Sequence, residues 1–503
     1  MTPLHRSALI ACVVAATSCG SAGTSTVSTS TSTSSSGTTS GTTSGSTTGA
    51  TTPTTSGQIA IVLSRPEDTS MSASVRVNAD GDVYLEYGTA PGVYTSQTTT
   101  VAALASTPTV LTASGLAIDT AYVYRVRYRP KAESAFRADT EHTFHTKRVS
   151  GDTFTFVIQA DPHMDDNSGA AVYSRTLANE LADKPDFLID LGDTSMVEKC
   201  AISGTTNCAS PAPTSADTVK ARYELMRSFF DQSCHSVPLL MVLGNHDGET
   251  GWPDPGNSAL STLATNARKT YFANPEPDRF YTGSSVSTPG IGLRQNYYAF
   301  EWGDALFVVL DPYTYTPTKP GANGWGWTLG ATQYQWFANT LAASRAKFKF
   351  VFSHHMLGGN GSEARGGQAF ATLYEWGGRN LDGTWGFTTQ RPGWAAPIQQ
   401  LMIDNHVNAW FHGHDHFYAM EQADGIVYQE VPQPSQARYD TPDPAAGYGY
   451  VGTMGVNMFA SSGHLRVTVS PTQVKVEYVR SVAATDETAT RRNGAILHSY
   501  VMR

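Results

Sequence analysis

Long apolar runs are missing beyond the start of this chain. No later segment approaches the roughly 18 uninterrupted apolar residues that a membrane-crossing helix needs, so the mature protein is expected outside the bilayer. Charge is scarce as well: charged residues make up 15% of the chain and the formal net charge is −9. No global positive field exists to hold nucleic acid by counterion release, and no nucleic-acid partner is expected without a local basic patch. Cysteine is rare, with five in all, of which Cys12 and Cys19 lie near the start. In an oxidising compartment Cys200 and Cys208 form the preferred pair, with Cys234 free or competing. Internal repeats are absent. What is present is length: 503 residues suffice for two or three domains with at least one large core.

The first 19 residues read as an export signal. Arg6 gives the positive start, and 8–16 an apolar stretch too short to span a bilayer. Ala16-Thr17-Ser18-Cys19 resembles a bacterial lipobox, departing from it where Ala16 replaces the usual Leu. The resemblance implies acylation of Cys19 and a membrane contact through that lipid alone; the protein is expected to be exported, as a cell-surface lipoprotein or, with ordinary cleavage as the alternative, secreted or periplasmic. Residues 20–57 are almost wholly Ser, Thr and Gly, a composition that buries too little apolar surface to offset its ordering entropy. As a flexible tether they would reach about 35 Å.

From 58 to 148, stretches rich in β-branched and aromatic residues recur between turn signals, at 59–63, 72–77, 83–87, 110–112, 122–128 and 142–146. They predict a seven-stranded β-sandwich of about 90 residues. Ser64-Arg65-Pro66, Leu85-Glu86-Tyr87-Gly88 and Tyr122-Val123-Tyr124-Arg125-Val126 give this segment a resemblance to the fibronectin type III-like domain that precedes the catalytic domain in purple acid phosphatases.

Across 152–503 the pattern changes to apolar strands, at 154–159, 187–189, 239–243, 306–310, 348–352 and 407–411, with helical spacing at 170–182 and 218–230. Strands alternating with helices predict an α/β core of packed sheets flanked by helices. The segments 464–479 and 496–502 are expected to add edge strands.

Polar clusters begin where these strands stop. Asp161-Pro162-His163 follows the first strand and Gly192-Asp193 the second, while Asn245-His246-Asp247, His354-His355 and His412-Gly413-His414-Asp415-His416 follow later ones. In an open α/β sheet that carboxyl edge is where ligands bind, so residues distant in sequence can converge. Imidazole with carboxylate, and no thiolate, suits borderline divalent metals such as Zn, Fe, Mn, Co or Ni. In Asp161-x-His163 and His414-x-His416 the alternation turns both side chains of an extended segment to one side. A carboxylate can bridge two cations about 3.5 to 4 Å apart, close enough for both to grip one phosphate. Asp193 is the candidate bridge.

In order, these elements resemble the calcineurin-like metallophosphoesterase superfamily, whose pattern is D-x-H, G-D, G-N-H-D/E, H and G-H-x-H. The resemblance implies a fold, a β-sandwich core flanked by helices and preceded here by the all-β N-terminal sandwich. It implies one divalent ion on Asp161, His163, Asp193 and His416, and a second on Asp193, Asn245, His354 and His414. It further implies hydrolysis of a small-molecule phosphate ester by metal-activated water, with His246 at the substrate phosphate and Asp247 orienting His246 through a hydrogen bond. The purple acid phosphatase branch carries Tyr three residues after the bridging Asp and lacks the first-motif His. Here Met196 and His163 occupy those places, which predicts a colourless protein.

Other polar residues carry weaker expectations. His355 is read as a substrate contact or a support for the ligands, and His412 as a core or supporting residue. Asp165, Asp166 and Asp415 could support the ligands, although the first two read more simply as solvated loop carboxylates. Glycine- and tryptophan-rich stretches at 321–336 and 376–394 are expected to form loops over the metal edge, where Arg365, Arg379 and Arg391 could meet an anion. Phosphodiester hydrolysis is the alternative on the same metals. A surface adhesion protein with a vestigial metal domain is the alternative of another class, opposed by the completeness of the ligand set.

Overall fold

Period-two alternation divides the side chains of the central strands between two faces. In the computed structural model, which describes residues 57–164, 168–197, 215–250, 258–439 and 447–503, Phe156 and Ile158 of the strand Phe154–Gln159 enter one core and Val157 another. The leader, the tether before Gly57, Cys200, Cys208, Asp165 and Asp166 lie outside the described residues. The strands Ala305–Val309 and Phe348–Phe352 divide in the same way. Phe307, Val309, Phe350 and Phe352 join the first core, while Val308 and Val351 join a third.

Two sheets therefore face each other across an aromatic core, in which the ring of Phe307 stacks 4.9 Å from Phe300 and 6.0 Å from Phe352. Helices Ala170–Ala182, Ala216–Cys234 and Ser258–Tyr271 cover the outer face of one sheet. Helices Gly330–Ala343 and Ile398–Asp404 cover the other. This is the expected helix-flanked β-sandwich core.

In the first sheet Phe154–Gln159, Leu188–Asp190 and Leu239–Met241 run parallel. In the second, Ala305–Val309, Phe348–Phe352, Ala409–His412 and Ile426–Glu430 run parallel. The C-terminal segment corrects one expectation. Gly463–Val469 pairs antiparallel with Phe154–Gln159 inside the sheet, and only Ile496–Met502 forms its edge.

The N-terminal region holds nine short strands, two beyond the expected seven. Two lines of pairing are each broken in half: Ser96–Gln97 and Val101–Ala103 both pair with Gly81–Gly88, while Arg137–Ala138 and His142–His145 both pair with Ala121–Pro130. The remaining strands, Ile59–Ser64, Ser70–Val77 and Thr109–Ser114, continue the first sheet of the larger body, with Ser64 in parallel register with Leu239. Buried polar contacts reinforce the joint. The Arg227 guanidinium donates to Ser74 Oγ at 3.1 Å and to the Tyr271 carbonyl at 2.6 Å, and Asp231 accepts the Ile61 N–H at 2.6 Å. Cys234 is a buried thiol.

Candidate metal centre

The backbone is forced into unusual shapes where the strands end. Asp161, Asp193, His414 and His416 all take positive φ, at 57°, 53°, 81° and 66°, a region that residues other than glycine seldom occupy and that clusters at functional sites. Gly244 is needed for close approach: a Cβ there would sit 1.9 Å from the Asp193 nitrogen. These turns bring the polar clusters of five strands together.

Ligating atoms of Asp161, His163 and His416 lie within 4.8 Å of one another. His163 Nε2 is 3.4 Å from His416 Nε2, which is 3.3 Å from Asp161 Oδ1. A second set, Asp193, His354 and His414, converges within the same limit of 4.8 Å. His354 Nε2 lies 2.9 Å from Asn245 Oδ1, 3.2 Å from Asp193 Oδ2 and 3.8 Å from Asp161 Oδ1. The other nitrogen of this ring, Nδ1, donates to the Leu191 carbonyl at 2.9 Å and so presents Nε2 to the three oxygens. His414 is turned the opposite way. Its Nε2 donates to the Glu363 carbonyl at 2.7 Å, which leaves Nδ1 as the nitrogen that could meet an ion.

The donor set fits two divalent ions. Asp161 Oδ2 accepts the His414 N–H at 2.9 Å and Asp193 Oδ1 the His246 N–H at 2.7 Å. The opposite oxygens, Asp161 Oδ1 and Asp193 Oδ2, are buried and accept no hydrogen bond. Buried carboxylate oxygens that accept no hydrogen bond are costly unless positive charge meets them. The electrostatics agree: burial opposes a charge on His354, yet Asp193 and Asp161 hold its pKa up at about 9. Burial also opposes the Asp193 charge, yet His354 and His246 hold its carboxyl well below the carboxylate range. This pocket demands positive charge.

His246 places Nε2 4.0 Å from Asp193 Oδ2. The expected bond from Asp247 to His246 is replaced by another task. The Asp247 carboxylate accepts four backbone N–H groups, from Gly244 at 2.8 Å, Ser195 at 2.9 Å, Thr194 at 3.0 Å and Asp193 at 3.1 Å. Asp247 thus clamps the loop that carries Asp193, and burial together with the Asp193 charge raises its pKa to about 7.

His355 is buried edge-on to Trp327 with ring centres 4.5 Å apart, and burial followed by the His354 charge lowers its pKa to about 3. His412 stacks 3.9 Å over Trp410 with Nδ1 2.8 Å from Glu430, a core placement. Asp415 accepts Arg365 Nη1 and the Gly366 N–H, both at 2.8 Å, tying a neighbouring loop to the strand end.

Each of the three candidate anion-binding arginines has partners within the protein. Arg365 spans Asp415 and the His414 carbonyl, the latter at 2.9 Å. Arg391 pairs with the buried carboxylate of Glu375 and donates to the Trp327 carbonyl at 3.0 Å, and Arg379 donates to the Gly383 carbonyl at 3.0 Å. The two tryptophan-rich stretches are joined by a small core of Trp325, Tyr374 and Phe387.

Sequence reasoning missed Asp190, which accepts Thr194 Oγ1 at 2.5 Å and the Gly192 N–H at 3.2 Å and so steadies the same loop as Asp247. Its signal was available: it stands at a strand end, three residues before Asp193.

A helix-flanked pair of sheets that gathers two facing sets of imidazole and carboxylate ligands on one edge defines a protein built around a binuclear metal centre. Its family follows from comparison. The calcineurin-like phosphoesterase pattern matches residues 154–418, more than half of the chain, and the chain belongs to that family. It is 25% identical to Purple acid phosphatase 15 of Arabidopsis thaliana over 171 residues, covering 33% of this chain and 26% of that protein. Purple acid phosphatase 13 of the same plant is 28% identical over 155 residues, covering 28% of this chain and 25% of that protein. The matched stretch spans about a quarter of each relative. Among solved structures the fold is shared with PhoD at a TM-score of 0.63 and 17% identity, over 88% of this chain and 89% of that one. It is also shared with purple acid phosphatase PPD1 from yellow lupin (Lupinus luteus) seeds, at a TM-score of 0.54 and 12% identity, over 88% of this chain and 73% of that one.

Proposed function

We propose that this protein hydrolyses phosphate esters, with monoesters favoured and diesters served by the same centre. The observation that carries this reading is the pair of buried carboxylate oxygens that accept no hydrogen bond, Asp161 Oδ1 and Asp193 Oδ2, facing two sets of histidines on one sheet edge. Asp161, His163, Asp193 and His416 would hold one divalent ion, and Asp193, Asn245, His354 and His414 the other. When bound, such ions draw charge from phosphoryl oxygens and make hydroxide available near neutral pH.

The chain's own groups do the rest. Carbonyl bonds to the two oppositely turned histidines, His354 and His414, fix which ring nitrogen each presents. Asp247 and Asp190 hold the Asp193 loop, so the carboxylate that would join the two ions is placed before substrate arrives. His246 stands at the rim beside Asp193, with 11% of its side chain exposed, where it can meet the substrate phosphate or give a proton to the leaving alkoxide. Met196, buried where a purple phosphatase has its tyrosine, supports a colourless centre.

Hydrolysis of p-nitrophenyl phosphate against bis-p-nitrophenyl phosphate, over Zn, Fe, Mn, Co and Ni, tests the reading. Turnover of the first above the second is expected, and failure on both at full metal loading refutes it. Export, with a lipid on Cys19, is proposed on the sequence alone. The mass of the native N-terminal peptide decides that point.

A further inference from the structure

The strand Ala305–Val309 runs parallel beside Phe348–Phe352, with Val309 opposite Phe352, so the residues following both strands emerge on one edge. One gives His354 and His355; the other gives Asp311, Pro312 and Tyr313. The Tyr313 ring meets His355 edge-on, with centres 5.3 Å apart at 77°, and packs against Trp327 at 6.1 Å. His355 in turn lies 5.3 Å from His414 and 6.0 Å from His354. A single ring thus separates Tyr313 from the second ligand set.

Its backbone is locked. Asp311 Oδ1 accepts the Tyr313 N–H at 2.7 Å, Asp311 Oδ2 accepts Asn296 Nδ2 at 2.6 Å, and Gln333 accepts the Asp311 N–H at 2.8 Å. The hydroxyl of this 1% exposed side chain makes no hydrogen bond. Buried tyrosines nearby do use theirs: Tyr298 donates to the Met241 carbonyl at 3.1 Å, Tyr334 to the Ala396 carbonyl at 2.8 Å and Tyr450 to Asp415 at 2.8 Å. Tyr223 and Tyr428 share the lack of a partner, but they pack on Phe272 and Trp410, under a helix and on the outer sheet face. Burial, then the charges of Asp193, Asp311, Asp247 and Asp161, keep the Tyr313 phenol protonated and therefore a donor. A buried donor with no acceptor costs stability, and such costs collect where a ligand supplies the missing partner.

We propose that Tyr313 binds the substrate directly, donating its hydroxyl to a phosphoryl oxygen held at the metal edge. This rests on the phosphate-ester reading above. No covalent step is involved; the bond strengthens as charge gathers on that oxygen.

Tyr313→Phe tests it in the metal-loaded protein, with four readouts: metal content, Tm, kcat/KM on p-nitrophenyl phosphate, and calorimetric affinity for inorganic phosphate. Both ions should stay and Tm should hold or rise, because an unpaired buried hydroxyl is removed. Phosphate affinity and kcat/KM should fall by up to about 10²-fold. Unchanged phosphate affinity beside an active wild type overturns the Tyr313 assignment alone. A fall in Tm or in metal content alongside the loss marks a packing role and overturns it too. Tyr313-dependent phosphate binding without any ester hydrolysis would refute the enzyme reading and leave the contact standing. A wild type that neither binds phosphate nor cleaves esters refutes both.

Discussion

Among the first set of candidate ligands the side chain of His416 is 34% exposed, while in the second Asp193, His354 and His414 are each 3% exposed or less. Both sets sit on one edge, built by the same device of polar turns after apolar strands. The difference is in what surrounds them. Parallel strand ends, the His355 ring and the Glu363 carbonyl enclose the second set, whereas in the first Asp161 and His163 are equally buried and His416 is the member open to solvent. An enclosed carboxylate and imidazole set depends on its ion for charge balance more than an open set does. The enclosed half should hold its metal tightly and fall hard when broken, and the open half should exchange metal and admit substrate.

The largest effect should come from the carboxylate expected to join the halves. Asp193→Asn should cut turnover by at least about 10³-fold with loss of both ions, checked by elemental analysis and steady-state assay. Full activity with two ions would erase the distinction between bridge and flank. Next come the matched variants His414→Ala and His416→Ala. The first should weaken metal binding by about 10²-fold or more, while the second should lose one ion and recover much of its rate in excess metal. Equal losses would mean that exposure does not govern the two sites.

His246→Ala touches neither ion directly. A fall of about 10²-fold in kcat, with metal content intact, is the expected result, and an unaltered rate removes His246 from the mechanism. The smallest effect is structural. Asp247→Asn turns an amide towards four backbone donors and should lower stability by about 1 to 3 kcal/mol, read in a denaturant titration. A variant as stable as the parent would contradict the clamp.

Much of this edge was legible in the sequence because apolar strands announce where they stop. The runs ending before Asp161, Asp193, Asn245, His354 and His414 each pointed to a turn, and the helix-flanked sheets followed from the same alternation. Partnerships were not legible. Whether Asp247 faces His246 or the Asp193 loop depends on how Gly192 and Gly244 pack, with only 1.9 Å between a Gly244 Cβ and the Asp193 nitrogen. Arg391 read as a free cation because its partner, Glu375, becomes a buried carboxylate only once the tryptophan-rich stretches fold together. The strands Tyr418–Ala423 and Ile426–Glu430 went unread, although they form a hairpin that reverses at Asp424-Gly425. Tyr313 was invisible for a different reason: an unpaired hydroxyl is a property of the packed interior and leaves no trace in local pattern.

The most direct test is anomalous diffraction from crystals of the metal-loaded protein. Two peaks about 3.5 to 4 Å apart are predicted, one among Asp161, His163 and His416 and the other among Asn245, His354 and His414, with Asp193 reaching both. One peak, or density away from these side chains, would contradict the account.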